Sequence, residues 1–98
     1  MPLAETTALA LHACVNSKQT ATLAEVFRTP TAKTLKWERV ESLLLAVGCE
    51  IVDGKGSHVT FLLGEDLLAT VRPHPRKEAK AWQVRDARDF LARNGVKP

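Results

Sequence analysis

A chain of 98 residues with 45% hydrophobic and 26% charged side chains has the composition of one soluble globular domain. No apolar run approaches the roughly 18 residues needed to cross a bilayer. The net charge of +3 is unevenly spread: residues 67–98 carry eight Lys and Arg against three Asp and Glu, whereas residues 34–66 carry three against six. A basic last third suits a polyanionic partner, because each neutralised phosphate releases condensed counterions, although a solvated helix face explains the same charge.

The apolar stretch from Ala8 to Val15 has no preceding Lys or Arg and no convincing cleavage site, so a secretory signal is not expected and the chain is read as cytoplasmic. Cys14 and Cys49 form no CxxC pair and stand at no zinc-type spacing from a histidine, which leaves two reduced thiols and indicates no cofactor. From Ser17, a candidate N-cap, Leu23, Val26 and Phe27 fall at helical spacing until Pro30 opens a Thr/Pro linker. Residues 1–33 therefore read as an N-terminal extension and 34–98 as the main domain. Thr34 is the next start signal, after which Trp37, Val40, Leu43, Leu44 and Val47 recur at three- and four-residue steps until Gly48, which suits the αL position beyond a helix end.

Cys49 to Asp53 reads as a short strand, and Gly54-Lys55-Gly56 as a tight reversal into a second strand, Ser57 to Leu63. There Val59, Phe61 and Leu63 form one period-2 set and His58, Thr60 and Leu62 the other, so the first set faces the core and His58 the open side. Gly64-Glu65-Asp66 reverses the chain into a third strand, Leu67 to Arg72, which stops at Pro73. Pro73-His74-Pro75-Arg76-Lys77 is an extended basic loop. From about Glu78 to Asn94, Trp82, Val84, Ala87, Phe90 and Leu91 give a helix an apolar side, and Gly95-Val96 resembles a Schellman ending. The order is (α)-α-β-β-β-α, an α+β fold with a three-stranded antiparallel sheet, two helices on one face and an extra N-terminal helix.

His58 is the candidate catalytic residue. Cleavage of RNA needs a group that removes the 2′-hydroxyl proton or protonates the departing 5′-oxygen near neutral pH, and an exposed imidazole does this; the alternative is a surface histidine with no duty. If Leu63 sits opposite Leu67, Thr60 faces Thr70 and His58 faces Arg72, whose guanidinium then holds the scissile phosphate; an edge-strand charge that discourages aggregation is the competing reading. Lys55, His74, Arg76, Lys77 and Lys80 complete the candidate RNA and phosphate contacts. Arg85 with Asp89, and Asp89 with Arg93, are spaced for intrahelical ion pairs. Trp37 and Trp82 fit helix core faces better than base-stacking platforms, and His12 is given no role. No P-loop, nucleophile elbow or metal-ligand cluster is present in the sequence.

Trp37-Glu38-Arg39-Val40-Glu41-Ser42-Leu43-Leu44, Val47-Gly48, Gly56-Ser57-His58 and Arg72-Pro73-His74-Pro75 together resemble HicA-family toxins, over about Thr34 to Gly95. The resemblance implies a fold like that of double-stranded-RNA-binding domains, mRNA interferase activity (an endoribonuclease toxin of a type II toxin-antitoxin system), and a catalytic histidine at the position of His58. It also implies a HicB-type antitoxin as protein partner beside mRNA. The extension over residues 1–33 and the long loop from Pro73 to Lys80 depart from the compact family pattern. The alternatives from the residues alone are a non-catalytic RNA-binding module and an inactive toxin that binds only its antitoxin.

Overall fold

Asn16, one residue before the expected cap, starts the first helix in the computed structural model, which describes residues 16–98. Its side chain accepts a hydrogen bond from the Gln19 amide at 2.9 Å, and the Asn16 amide donates to Gln19 Oε1 at 3.0 Å, a reciprocal cap that satisfies two otherwise free donors. His12, Cys14 and the apolar stretch from Ala8 to Val15 lie outside the described residues. The elements that follow are α1 (Ser17–Val26), α2 (Trp37–Ala46), β1 (Glu50–Asp53), β2 (His58–Leu63), β3 (Asp66–Val71) and α3 (Ala81–Arg93). This is the expected α+β order, and none of the helices among the described residues is long and apolar enough to cross a membrane.

Helix α2 begins at Trp37, not near Thr34, because its first turn is capped by distant backbone. The Trp37 amide donates to the Lys77 carbonyl at 2.8 Å and the Ala79 amide to the Leu35 carbonyl at 2.8 Å, so residues 35–37 pair with 77–79. A cap supplied across the fold leaves no local signature in the sequence. The helix ends as expected, with Gly48 at φ 107° and the Cys49 amide bonded to the Leu44 carbonyl. Helix α3 starts at Ala81, later than Glu78, since residues 77–79 are engaged in that pairing; it ends with Gly95 at φ 78° and the Val96 amide on the Leu91 carbonyl.

The sheet has the order β1-β2-β3, antiparallel throughout. Val59 and Phe61 are buried with Leu68 from β3, while Trp37 of α2 meets Phe61 ring to ring at 6.1 Å. Leu43 and Leu44 of α2 and Val84, Ala87, Phe90 and Leu91 of α3 complete the layer on that face. Leu23 and Val26 of α1 belong to the same core, and Arg39 Nε donates to Thr22 Oγ1 at 3.1 Å across α1 and α2. On the other face Val52, His58, Thr60, Leu62, Leu67, Ala69 and Val71 follow the alternation, and none is buried.

The register of the second hairpin differs from the expectation by one residue. Leu63 pairs with Asp66, so the turn is the two-residue Gly64-Glu65, with Gly64 at φ 60° supplying the positive φ that a glycine-first turn requires. Thr60 therefore faces Ala69, and His58 faces Val71.

Asp66 ties this turn to the end of α3. Arg93 donates to both its carboxylate oxygens, Nε at 3.0 Å and Nη2 at 3.3 Å, and Asn94 Nδ2 adds a contact at 3.0 Å. The expected pairs of Asp89 with Arg85 and Arg93 do not form; Asp89 meets Arg88 at 3.7 Å. The Arg93 hydrogen bond, aided by Asn94 and the Leu67 amide, holds the Asp66 carboxyl below the usual carboxylate range. A depressed folded value stabilises the protein above the unfolded pKa of about 3.9, and that contribution is lost as the pH falls through the folded value. Asp66→Asn is expected to melt below wild type at pH 7, with the gap closing below about pH 4. Thermal melts at the two pH values check this.

Candidate active site

His58 opens β2 on the exposed sheet face, where the alternation of Val59 and Phe61 into the core leaves it no other side. The Gly54–Ser57 loop folds back over its backbone. The Gly54 amide donates to the His58 carbonyl at 2.8 Å and the His58 amide to the Lys55 carbonyl at 3.1 Å. His58 lines a cleft of about 430 Å³ together with Lys55, Ser57, Arg72, His74, Lys80 and Gln83. Of the candidate phosphate contacts, Lys55, His74 and Lys80 are thus brought beside His58, while Arg72 lines the cleft with its guanidinium held by Glu41 and Asp53. Arg76 lines an adjoining cleft of about 350 Å³ with Lys33, His74 and Lys80, while Lys77 lines neither.

Arg72 does not flank His58 as the slipped register suggested. Its amide donates to the Ser57 carbonyl at 2.8 Å, which puts it opposite Ser57 and turns its side chain toward the helices. There the guanidinium is already satisfied. Nε and Nη2 reach Glu41 at 3.0 and 3.4 Å, Nη1 reaches Asp53 at 2.7 Å, and Trp37 Nε1 donates to Glu41 at 2.9 Å. Glu41 first and Asp53 second raise the Arg72 pKa further and keep it charged. Two carboxylates against one guanidinium leave the group with a net negative formal charge, an arrangement that favours an anchor over a phosphate clamp. Through its amide, Arg72 anchors the Ser57–His58 corner.

A larger groove, about 720 Å³, lies between α1 and α2. Glu38 and Glu41 line it, so it is the wrong sign for a polyanion despite its size.

Gly54 owes its place to close approach, not to backbone sign. A Cβ at Gly54 would stand 3.0 Å from His58 Cβ, whereas one at Gly56, at φ 60°, would meet nothing within 4 Å. Gly54→Ala is therefore expected to shift the His58 imidazole resonances. Gly56→Ala is expected to leave them in place while costing about 1 kcal/mol through left-handed strain. Two-dimensional imidazole spectra and melts of both variants separate the two effects.

Two residues at this site escaped the sequence reading. Gln83 is 2% exposed and couples α3 to β3: its Nε2 donates to Thr70 Oγ1 at 3.3 Å and to the Val71 carbonyl, and its Oε1 accepts from the Lys80 amide at 2.9 Å. A polar residue in phase with Ala87 and Phe90 was the available signal. Trp82, expected on a core face, is 41% exposed. Three- and four-residue steps from it reach Arg85, Asp86 and Asp89, all exposed, so it rides the polar stripe of α3. Trp37, by contrast, is buried as expected. Cys49 is buried, and burial pushes its thiol up to about 11, which makes it a poor nucleophile.

The fold and this cleft define a small α-β-β-β-α protein with a histidine on an open sheet face and lysines around it. Residues 37–93 match the HicA toxin of bacterial toxin-antitoxin systems, and the chain belongs to that family. Membership implies an antitoxin partner. Comparison with curated proteins gives no match, and neither does comparison with solved structures.

Proposed function

We propose that the chain is a toxin that acts as a metal-independent endoribonuclease, cleaving mRNA in the cytoplasm and so inhibiting translation. His58 is its proton-transfer residue. The observation that carries the reading is the position of His58: exposed on the open face, inside a cleft it shares with Lys55, His74 and Lys80. His58 takes the proton of a ribose 2′-hydroxyl, or delivers one to the departing 5′-oxygen, as the 2′-oxygen attacks its own phosphate. The phosphorus–5′-oxygen bond breaks, leaving a 2′,3′-cyclic phosphate and a 5′-hydroxyl. No metal is required, since the substrate supplies the nucleophile and lysine ammonium groups offset the charge that develops on the phosphate oxygens. His74, Arg76, Lys77 and Lys80 position the RNA backbone without reading sequence. Arg72 is reassigned from phosphate ligand to positioning residue.

A HicB-type antitoxin is the proposed protein partner. The same open face carries Val52 and Leu67, more than half exposed, which favour its being covered by protein when the toxin is silent. The test is incubation of the purified chain and its His58→Ala variant with mixed mRNA in EDTA, with ends mapped by primer extension. Cleavage by wild type alone supports the reading. If neither protein cuts where a control ribonuclease does, the reading fails and an RNA-binding module or an inactive, antitoxin-binding toxin takes its place.

A further inference from the structure

His58 lines two concavities, not one. The first is the basic cleft with Lys55, His74 and Lys80; the second, of about 270 Å³, is shared with Thr60, Ala69, Val71 and Trp82. The two differ in chemistry. The first offers cationic groups, and the second offers a small-residue floor from β2 and β3 beside an indole. Trp82 is 41% exposed and Trp37 6%, so α3 leaves uncovered the indole that borders the histidine. A nucleotide presents the matching pair of chemistries, an anionic phosphate and a flat aromatic base, and His58 stands where the two halves meet.

We propose that Trp82 is a stacking platform for the base of a nucleotide adjoining the scissile phosphate, and that the substrate is therefore RNA unpaired at that nucleotide. Resting on the proposed ribonuclease role of the His58 cleft, the inference adds what that role leaves open. A base within an A-form duplex is stacked on both faces, and the helix offers side chains only its shallow minor groove, so the indole can engage a base only where the strand is unpaired. Stacking is tolerant of base identity, because every base has a π-face. Trp82 thus selects for strand state and leaves sequence choice to other contacts.

The experiment uses the full chain carrying His58→Ala, so that RNA is bound without turnover. It is titrated with a labelled, mixed-sequence single-stranded oligoribonucleotide and with the same sequence as a duplex, following RNA anisotropy and tryptophan emission. Single-stranded RNA should quench the emission, and adding Trp82→Ala should weaken its binding on the order of 10-fold, with Trp82→Phe recovering most of the loss. Duplex RNA should bind with the same affinity whether or not Trp82 is present. Unaltered melting of the exposed-site variants excludes a folding defect. Unchanged single-strand affinity in Trp82→Ala, or equal quenching by duplex, overturns the proposal.

Cleavage assays with His58 intact separate this outcome from failure of the parent reading. If wild type cuts RNA and Trp82→Ala cuts with the same KM and kcat, stacking alone is refuted. If wild type cuts nothing, the ribonuclease reading falls, and the quenching and affinity data still decide whether Trp82 holds an unpaired base.

Discussion

His58→Ala is expected to lower RNA cleavage by about 100- to 10,000-fold, the usual worth of a positioned general acid or base. The melting temperature should hardly move. The imidazole is exposed, and the amide and carbonyl that hold the Gly54–Ser57 loop belong to the backbone, which the substitution leaves in place. RNA affinity should stay within a few-fold, because the proposed phosphate contacts come from Lys55, His74 and Lys80, which line the same cleft. A drop in activity matched by a drop in melting temperature would instead make His58 structural. Single-turnover cleavage, calorimetry and anisotropy on one preparation distinguish the cases.

Arg72→Met is the second large effect, and it falls on stability. Removing the guanidinium strands Glu41, whose side chain is 23% exposed and still accepts from Trp37, and it frees Asp53. Hydrogen bonds to charged groups contribute about 1.5–3 kcal/mol, and the 36% exposure of Arg72 discounts this to an expected loss of about 1–2 kcal/mol. For a domain of this size that lowers the melting temperature by roughly 5–10 °C. Glu41→Gln combined with Arg72→Met should cost less than the two single changes added together, with a coupling above about 0.5 kcal/mol. A phosphate ligand behaves otherwise: its loss flattens the salt dependence of RNA binding by about one unit and is indifferent to Glu41. Measuring the salt slope and the cycle in parallel decides between an anchor and a clamp.

What the sequence revealed and what it hid follow from the range of the interactions involved. The alternation of Val59, Phe61 and Leu63 against His58, Thr60 and Leu62 is local, and so are the glycine endings at Gly48 and Gly95; all were legible. The start of α2 was not, because Leu35 and Trp37 find their partners at Ala79 and Lys77, some 40 residues away. Register was lost at a single point. Reading Gly64-Glu65-Asp66 as a three-residue turn slips β3 by one position, and a slip of one exchanges the two faces of the strand. That error placed Arg72 beside His58 when its side chain lies with Glu41 and Asp53. Trp82 departs from its expected core face because its helical phase is that of the exposed Arg85, Asp86 and Asp89, which its apolar character does not override.

The candidate site was thus readable as a set of residues more than as a geometry. His58, Lys55, His74 and Lys80 converge because the β1–β2 loop, the end of β3 and the start of α3 meet at one edge of the sheet, a proximity that no pair of neighbouring residues encodes. Gln83 secures that edge by bonding the end of β3 from within α3.

The chemistry of the cut ends tests the central claim most directly. Wild-type protein in EDTA should convert a defined oligoribonucleotide into fragments that mass spectrometry identifies as 2′,3′-cyclic phosphates paired with 5′-hydroxyls, and His58→Ala should yield none. Fragments bearing 5′-phosphates, or the same products from the His58→Ala protein, would contradict a cleavage in which the substrate's own 2′-hydroxyl attacks and His58 moves the proton.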